Sequence, residues 1–191
     1  AFKKSGLHLE HSKGFNPSPR LSLAQPLSLG YEGKAEMAEF ETKEDVPPEE
    51  ILKRLNEQMP PGITITSSRL KKGTEKRLAA SCSAADYIIK IPYEEENPIG
   101  PEIAEDFMAM EKIPAMKRTK KSKEPVEVDI RPMIHRLQVE RTDNKIIMYT
   151  KLDAGSKSNL SPELLLQAFF HFIGKTLHRE TIEITRVRLY M

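Results

Sequence analysis

The chain has 191 residues, 38% hydrophobic and 30% charged, with a formal net charge of +2. That length allows one domain or two small ones, and the small net charge argues against binding nucleic acid by bulk electrostatics while leaving local basic patches open. The single cysteine, Cys82, excludes an internal disulfide framework and a cysteine-based zinc site, and no apolar run approaches the roughly 20 residues of a membrane span, so no membrane partner and a cytoplasmic setting are expected.

In chain order, residues 1–7 read as the end of a helix closed by Gly6, and the natural chain is expected to begin earlier. Residues 11–30 follow. Pro17, Pro19 and Pro26 fix φ and remove backbone donors, while Gly14 and Gly30 are free to take positive φ. Residues 21–29 alternate in part, Gly30-Tyr31-Glu32-Gly33 is a turn signal, and residues 35–42 read as the partner strand of a hairpin. Asp45-Val46-Pro47-Pro48 starts a helix with Ile51, Leu52, Leu55 and Met59 on one face. Pro60-Pro61-Gly62 stops it, and residues 63–70 read as a β-branched strand.

Residues 71–83 are a polar connection, and 85–93 another strand. A helix is expected over 98–113, a basic stretch over 116–128, and a strand over 126–139 broken by Pro132. Asp143-Asn144 fits a turn before a strand over 145–152. Ser161-Pro162-Glu163 caps and starts a second helix, which Gly174 ends before a last strand over 181–190. The pattern predicts an α+β fold of two ferredoxin-like units, with antiparallel sheets and helices on one face. They span residues 1–72 and 85–191, joined by a linker over 73–84, and the first is short of elements at its N-terminus.

For chemistry, His8 and His11 lie three apart, but no acid or cysteine sits at a recognised metal-ligand spacing, so no metal site is expected. The chain carries no nucleophile-elbow motif, P-loop or dinucleotide fingerprint. Two readings fit residues 11–30: a Pro/Gly loop that only connects elements, or a stiffened polar segment that turns Lys13, Asn16 and Arg20 to a ligand. Asp129 and Arg131, two apart on a strand end, share a side. They read either as a surface ion pair with basic neighbours or as the facing wall of that ligand site. Lys117, Arg118, Lys120, Lys121 and Lys123 form a run without an acid, suited to phosphates or to solvent, with no interleaved aromatic for base stacking. Lys71, Lys72, Lys76 and Arg77 make a weaker cluster.

Gly6-Leu7, then His11-Ser12-x-Gly14-Phe15-Asn16-Pro17-x-Pro19-Arg20-Leu21-Ser22, then Pro26-Leu27-x-Leu29-Gly30, resembles the radical-SAM-linked protein family, a domain of unknown function found beside or fused to radical SAM enzymes. The resemblance continues through the helix at 48–62 and the basic-then-Val-Asp-Ile-Arg-Pro segment at 120–132. Ser18 departs from the family's frequent His, and the family's N-terminal strand and helix with a His-Leu-Asp motif are lacking. The resemblance implies an accessory or substrate-presenting domain partnered by a radical SAM enzyme, which would hold the iron–sulfur cluster and S-adenosylmethionine while this chain holds no cofactor. RNA or a ribosome-related molecule is the expected substrate. The alternatives are an RNA-modifying or RNA-processing enzyme on tandem ferredoxin-like units, and a protein-interaction module.

Overall fold

Apolar side chains alternate with polar ones through three segments of the second half of the chain, and these become the centre of its main sheet. The computed structural model describes residues 1–92, 99–117, 124–142 and 144–191. In chain order its elements are β1 (Leu21–Leu23), β2 (Tyr31–Gly33), β3 (Ala38–Phe40), α1 (Pro48–Asn56), the one-turn α2 (Leu78–Ser81), β4 (Ala84–Pro92), α3 (Pro101–Ala109), β5 (Pro114–Lys117) and β6 (Val126–Asp129). A 3-10 turn at Arg131–Met133 leads to β7 (Ile134–Arg141), β8 (Lys145–Asp153) and α4 (Pro162–Phe172), and another at Arg179–Thr181 leads to β9 (Glu183–Tyr190). The fold is α+β. The chain divides into two units: Ala1–Ala24 with Ala38–Leu78, and Gln25–Met37 with Ala79–Met191.

The first unit is small. β1 and β3 pair antiparallel, with Leu21 opposite Phe40 and Leu23 opposite Ala38. α1 has Pro in its first turn, where a missing N–H costs nothing, and buries Ile51 and Leu55. These two and Leu7 form a core with Phe2, Phe40, Val46, Met59 and Ile65 packed around it. Phe2 meets Phe40 edge-on at 4.7 Å between ring centres. Residues 1–5 make a single turn, closed by Gly6 at φ 70°. The expected strand at 63–70 does not form. Its β-branched residues find no partner strand, and Ile65 is instead tied to α1 through both amide atoms of Asn56, at 2.8 and 2.9 Å. The unit has a two-stranded sheet and one full helix in place of a β-α-β-β-α-β set.

The second unit has a five-stranded sheet in the order β2-β9-β4-β8-β7. β4, β8, β7 and β9 pair antiparallel as neighbours. Along the chain, β4-α3-β7-β8-α4-β9 follows the split β-α-β connectivity: each helix joins two parallel strands that have one antiparallel strand between them. The β5-β6 hairpin is inserted after α3. Ser161 caps α4 by accepting the Leu164 N–H at 3.3 Å. One side of the sheet is buried, with Tyr87, Ile89, Ile91, Ile146, Met148, Thr150 and Leu152 closed off from water. Phe170 of α4 lines a crevice with Ile91, which puts the helix on that side. Phe107 of α3 and Phe169 of α4 meet edge-on at 5.1 Å. α3 is shorter than the expected 98–113 because Met110 turns to ψ 134°.

Residues 30–33 differ most from expectation. In place of a hairpin turn, Tyr31–Gly33 is a strand parallel to β9, with Gly33 opposite Arg186. Long-range partners override the local turn signal. Tyr31 donates its hydroxyl to Glu163, and the Arg179 guanidinium lies 5.6 Å from its ring centre. Thr185 donates to Glu32 at 3.1 Å.

Arg186 holds the segment down. Its side chain is 3% exposed, yet every face of the guanidinium is used: Nε and Nη2 donate to Glu36, Nη2 to the Gln25 carbonyl at 2.6 Å, and Nη1 to the Pro26 carbonyl at 3.4 Å. Burial pulls its pKa down, but the hydrogen bonds and charge of Glu36 outweigh this and hold it above its ordinary value. Gly33 makes the pairing geometric: a Cβ there would come within 2.7 Å of Glu36 Cγ, so only glycine leaves the acid room.

Removing one partner of a buried pair strands the other charge. Glu36→Ala is therefore expected to lower the unfolding free energy by about 3 kcal/mol. Arg186→Met together with Glu36→Ala should recover part of that loss, and Gly33→Ala should act in the same direction as Glu36→Ala. Chemical denaturation monitored by circular dichroism measures all three.

Candidate functional site

The candidate residues fall in both units. Lys13, Asn16 and Arg20 belong to the first, and Asp129, Arg131 and Lys117 to the second. Arg118, Lys120, Lys121 and Lys123 lie outside the described residues, as does Asp143 of the expected turn.

In the first unit, residues 9–20 form a narrow finger. At its base Leu9 bridges Thr42, Glu10 N–H donates to the Glu41 carbonyl at 2.8 Å, and Arg20 N–H donates to the Glu10 carbonyl at 2.7 Å. Higher up, His11 bridges Pro19 and Ser12 N–H donates to the Ser18 carbonyl at 2.8 Å. Ser18 N–H donates to Ser12 Oγ at 3.0 Å, closing the neck. The two prolines within the finger suit this shape, since neither has an N–H to leave without a partner. Above the neck stand Lys13, Gly14, Phe15, Asn16 and Pro17, all exposed. Phe15 is fully exposed, a phenyl ring held away from any core. Lone exposed apolar groups are ordinary; here the ring is carried at the tip of a hydrogen-bonded loop whose neighbours Lys13 and Asn16 are also exposed.

Arg20 sits at the base, not the tip, and its guanidinium is paired with Glu41 while both remain about half exposed. Ser18 works in the neck. His8 hydrogen-bonds Glu44 at 2.8 Å, and His11 donates to the Leu9 carbonyl at 3.0 Å. Among the described residues no three His, Cys, Asp or Glu side chains gather as a metal would need, and no helix is long and apolar enough to cross a membrane.

In the second unit Asp129 and Arg131 form a corner. Asp129 Oδ1 accepts the N–H of Ile113 at 2.9 Å and of Arg131 at 3.0 Å. These two amides, Ile113 first, hold its carboxyl below the ordinary 3.8. Arg131 Nε donates to the Met108 carbonyl at 2.9 Å, satisfying an acceptor in the last turn of α3. Asp129 and Arg131 therefore share a corner, joined through the Arg131 amide, and both have backbone partners that fix where β6 leaves and α3 ends. Lys117 donates to the Asn159 carbonyl at 3.0 Å. Cys82 is buried, and burial pushes its thiol pKa up.

Sequence reasoning passed over Phe15 and Arg186. Phe15 carried a signal, an aromatic set between Gly14 and Asn16-Pro17 with no apolar neighbour at core spacing. Arg186 carried none, because a lone arginine in a strand reads as its solvated face.

The model of a family described as an uncharacterized protein conserved in bacteria (DUF2344) matches residues 1–162. No curated protein and no solved structure matches the chain.

Because Asp129 is held below its unfolded pKa, its contribution to stability is full above about pH 4 and is lost as pH falls through the folded value. Asp129→Ala should lower the melting temperature at pH 7, and the gap from wild type should close as thermal melts are taken to lower pH. A gap that stays constant into acid would show that the carboxylate's charge does not contribute.

Proposed function

We propose that this chain, which belongs to the uncharacterized bacterial family DUF2344, is a cytoplasmic substrate-binding accessory domain that works with a radical SAM enzyme on RNA or a ribosome-related molecule. The finger tip is the observation that carries the reading. Lys13, Phe15 and Asn16 are exposed above a neck of hydrogen bonds that orders the loop's backbone, which lowers the backbone ordering a ligand would otherwise have to supply. A phenyl ring offers a stacking face to an unpaired base, Asn16 offers a donor and an acceptor, and Lys13 offers a charge to phosphate.

The radical SAM partnership rests on the resemblance of residues 11–30 and 120–132 to the proteins linked to those enzymes. In that pairing the iron–sulfur cluster and S-adenosylmethionine belong to the partner, since such clusters are held by several cysteine thiolates and this chain has only Cys82. Lys117, Arg118, Lys120, Lys121 and Lys123 would add long-range attraction for phosphate. Arg20, exposed beside Glu41, would reach the ligand from the base of the finger.

Phe15→Ala and Lys13→Ala should each weaken binding of single-stranded RNA, the first by about tenfold or more, as measured by fluorescence anisotropy. Arg20→Ala should weaken binding less and change stability by under about 1 kcal/mol, because its ion pair is exposed. Co-expression with a radical SAM enzyme from the same bacterium should yield a complex on affinity purification. Wild-type protein that binds neither RNA nor such an enzyme would end this reading.

A further inference from the structure

We infer that the helix-free side of the second unit's sheet is a platform for single-stranded RNA, with Tyr149 as the stacking residue and Arg136, Lys151 and Arg188 as the phosphate row. The inference rests on the reading of this chain as an RNA-binding domain and assigns that role a surface distinct from the finger.

Strand register builds the platform. Side chains alternate across a sheet, and on the four central strands one set lies beneath the helices. The other set is largely half-buried or exposed, with Thr185 of β9 buried against Glu32. In it Tyr149 of β8 lies opposite Ile88 of β4 and Gln138 of β7. The neighbouring transverse row runs from Arg136 to Lys151, Asp86 and Arg188. Three cations thus cross four strands, roughly 15 Å at the usual spacing. A β-bulge makes this possible: the register skips Val187, so Arg186 is turned inward opposite Tyr87 while Arg188, two residues on, stands outward opposite Asp86.

The acids on this side are engaged, Glu140 by Tyr149 itself, whose hydroxyl donates to it at 3.3 Å. Asp86 accepts from Arg136 at 3.3 Å and from the Tyr190 hydroxyl at 2.7 Å. Glu183 accepts from Lys90 at 3.2 Å and from Lys145 at 3.3 Å. Lys151 Nζ sits 3.7 Å above the centre of the Tyr190 ring, which fixes the cation at the middle of the row.

An aromatic ring on β8 of the five-stranded sheet, an amide beside it and a cation row along one flank match what an unpaired nucleotide offers: a flat base, a hydrogen-bonding edge and a phosphate. A protein partner fits less well, since protein interface cores are depleted of charge and charged rows flank Tyr149 on both sides. A duplex keeps its bases stacked and would leave Tyr149 unused.

The test is anisotropy of a fluorescein-labelled, mixed-sequence RNA of roughly 12 nucleotides, titrated at several salt concentrations. The proteins are the full chain, Tyr149→Ala, Tyr149→Phe, Arg188→Ala and Phe15→Ala. Tyr149→Ala should lose at least about fivefold in affinity, while Tyr149→Phe, which keeps the ring, should stay near wild type. Arg188→Ala should make the salt slope shallower. If wild type binds RNA and Phe15→Ala binds it more weakly, but Tyr149→Ala and Arg188→Ala bind as wild type does, the platform is wrong and the RNA reading stands. Wild type that fails to bind RNA at low salt overturns both. Loss of a co-purifying radical SAM enzyme in Tyr149→Ala with RNA affinity unchanged would reassign the face to a protein partner. Should Tyr149→Ala fold poorly, an unchanged affinity and salt slope in Arg188→Ala alone overturns the platform.

Discussion

One buried arginine governs how this chain is put together. Arg186 has no water to solvate it, and an isolated buried charge is among the costliest groups a protein can hold. Glu36 and two backbone carbonyls, of Gln25 and Pro26, satisfy it. All three acceptors lie in residues 25–37, a segment whose flanking residues on both sides belong to the first unit. Gly33 supplies the space for Glu36, and β2 follows, adding a fifth strand to a sheet that would otherwise end at β9.

That constraint divides the chain's most distinctive stretch by job. Gln25 and Pro26 are structural, held by their carbonyl oxygens, and Gly30 at φ 79° turns the chain into β2. Residues 11–20 are free of that duty. Their backbone bonds close on themselves and on residues 41–42, and the side chains at the tip are exposed. Residues 11–30 divide by segment: Gln25 and Pro26 are anchorage, and the exposed tip is what the proposed function rests on. Asp129 and Arg131 fall on the anchorage side of the same distinction, since each has its polar atoms on backbone groups of its own unit.

Much of the fold was legible because it is locally encoded. Ser161-Pro162 and Gly174 delimit α4, Pro132 separates β6 from β7, and the alternation of Ile and Met with polar residues marks β4 and β8. What was misread depends on distant partners. Two glycines at 30 and 33 look like a turn until Arg186 and Glu163 are known to be waiting. Residues 63–70 have strand composition but no neighbour to pair with. Strict alternation gives Arg186 and Arg188 the same environment, and only the bulge at Val187 separates a buried clasp from an exposed cation. The tip of the finger was legible in its polar residues but not in Phe15, because exposure of an aromatic follows from where a loop is held and not from its own sequence.

If the Arg186 clasp fixes residues 25–37 to the second unit, the amide of Lys34, which donates to the Arg186 carbonyl at 2.9 Å, belongs to that unit's cooperative core. Native-state hydrogen exchange by nuclear magnetic resonance measures this directly. The account predicts that the Lys34 amide exchanges with the same opening free energy as amides of β4 and β8, and that Arg186→Met drops its protection while theirs changes far less. A Lys34 amide that exchanges freely in the wild-type chain, or that keeps its protection without Arg186, would contradict the account.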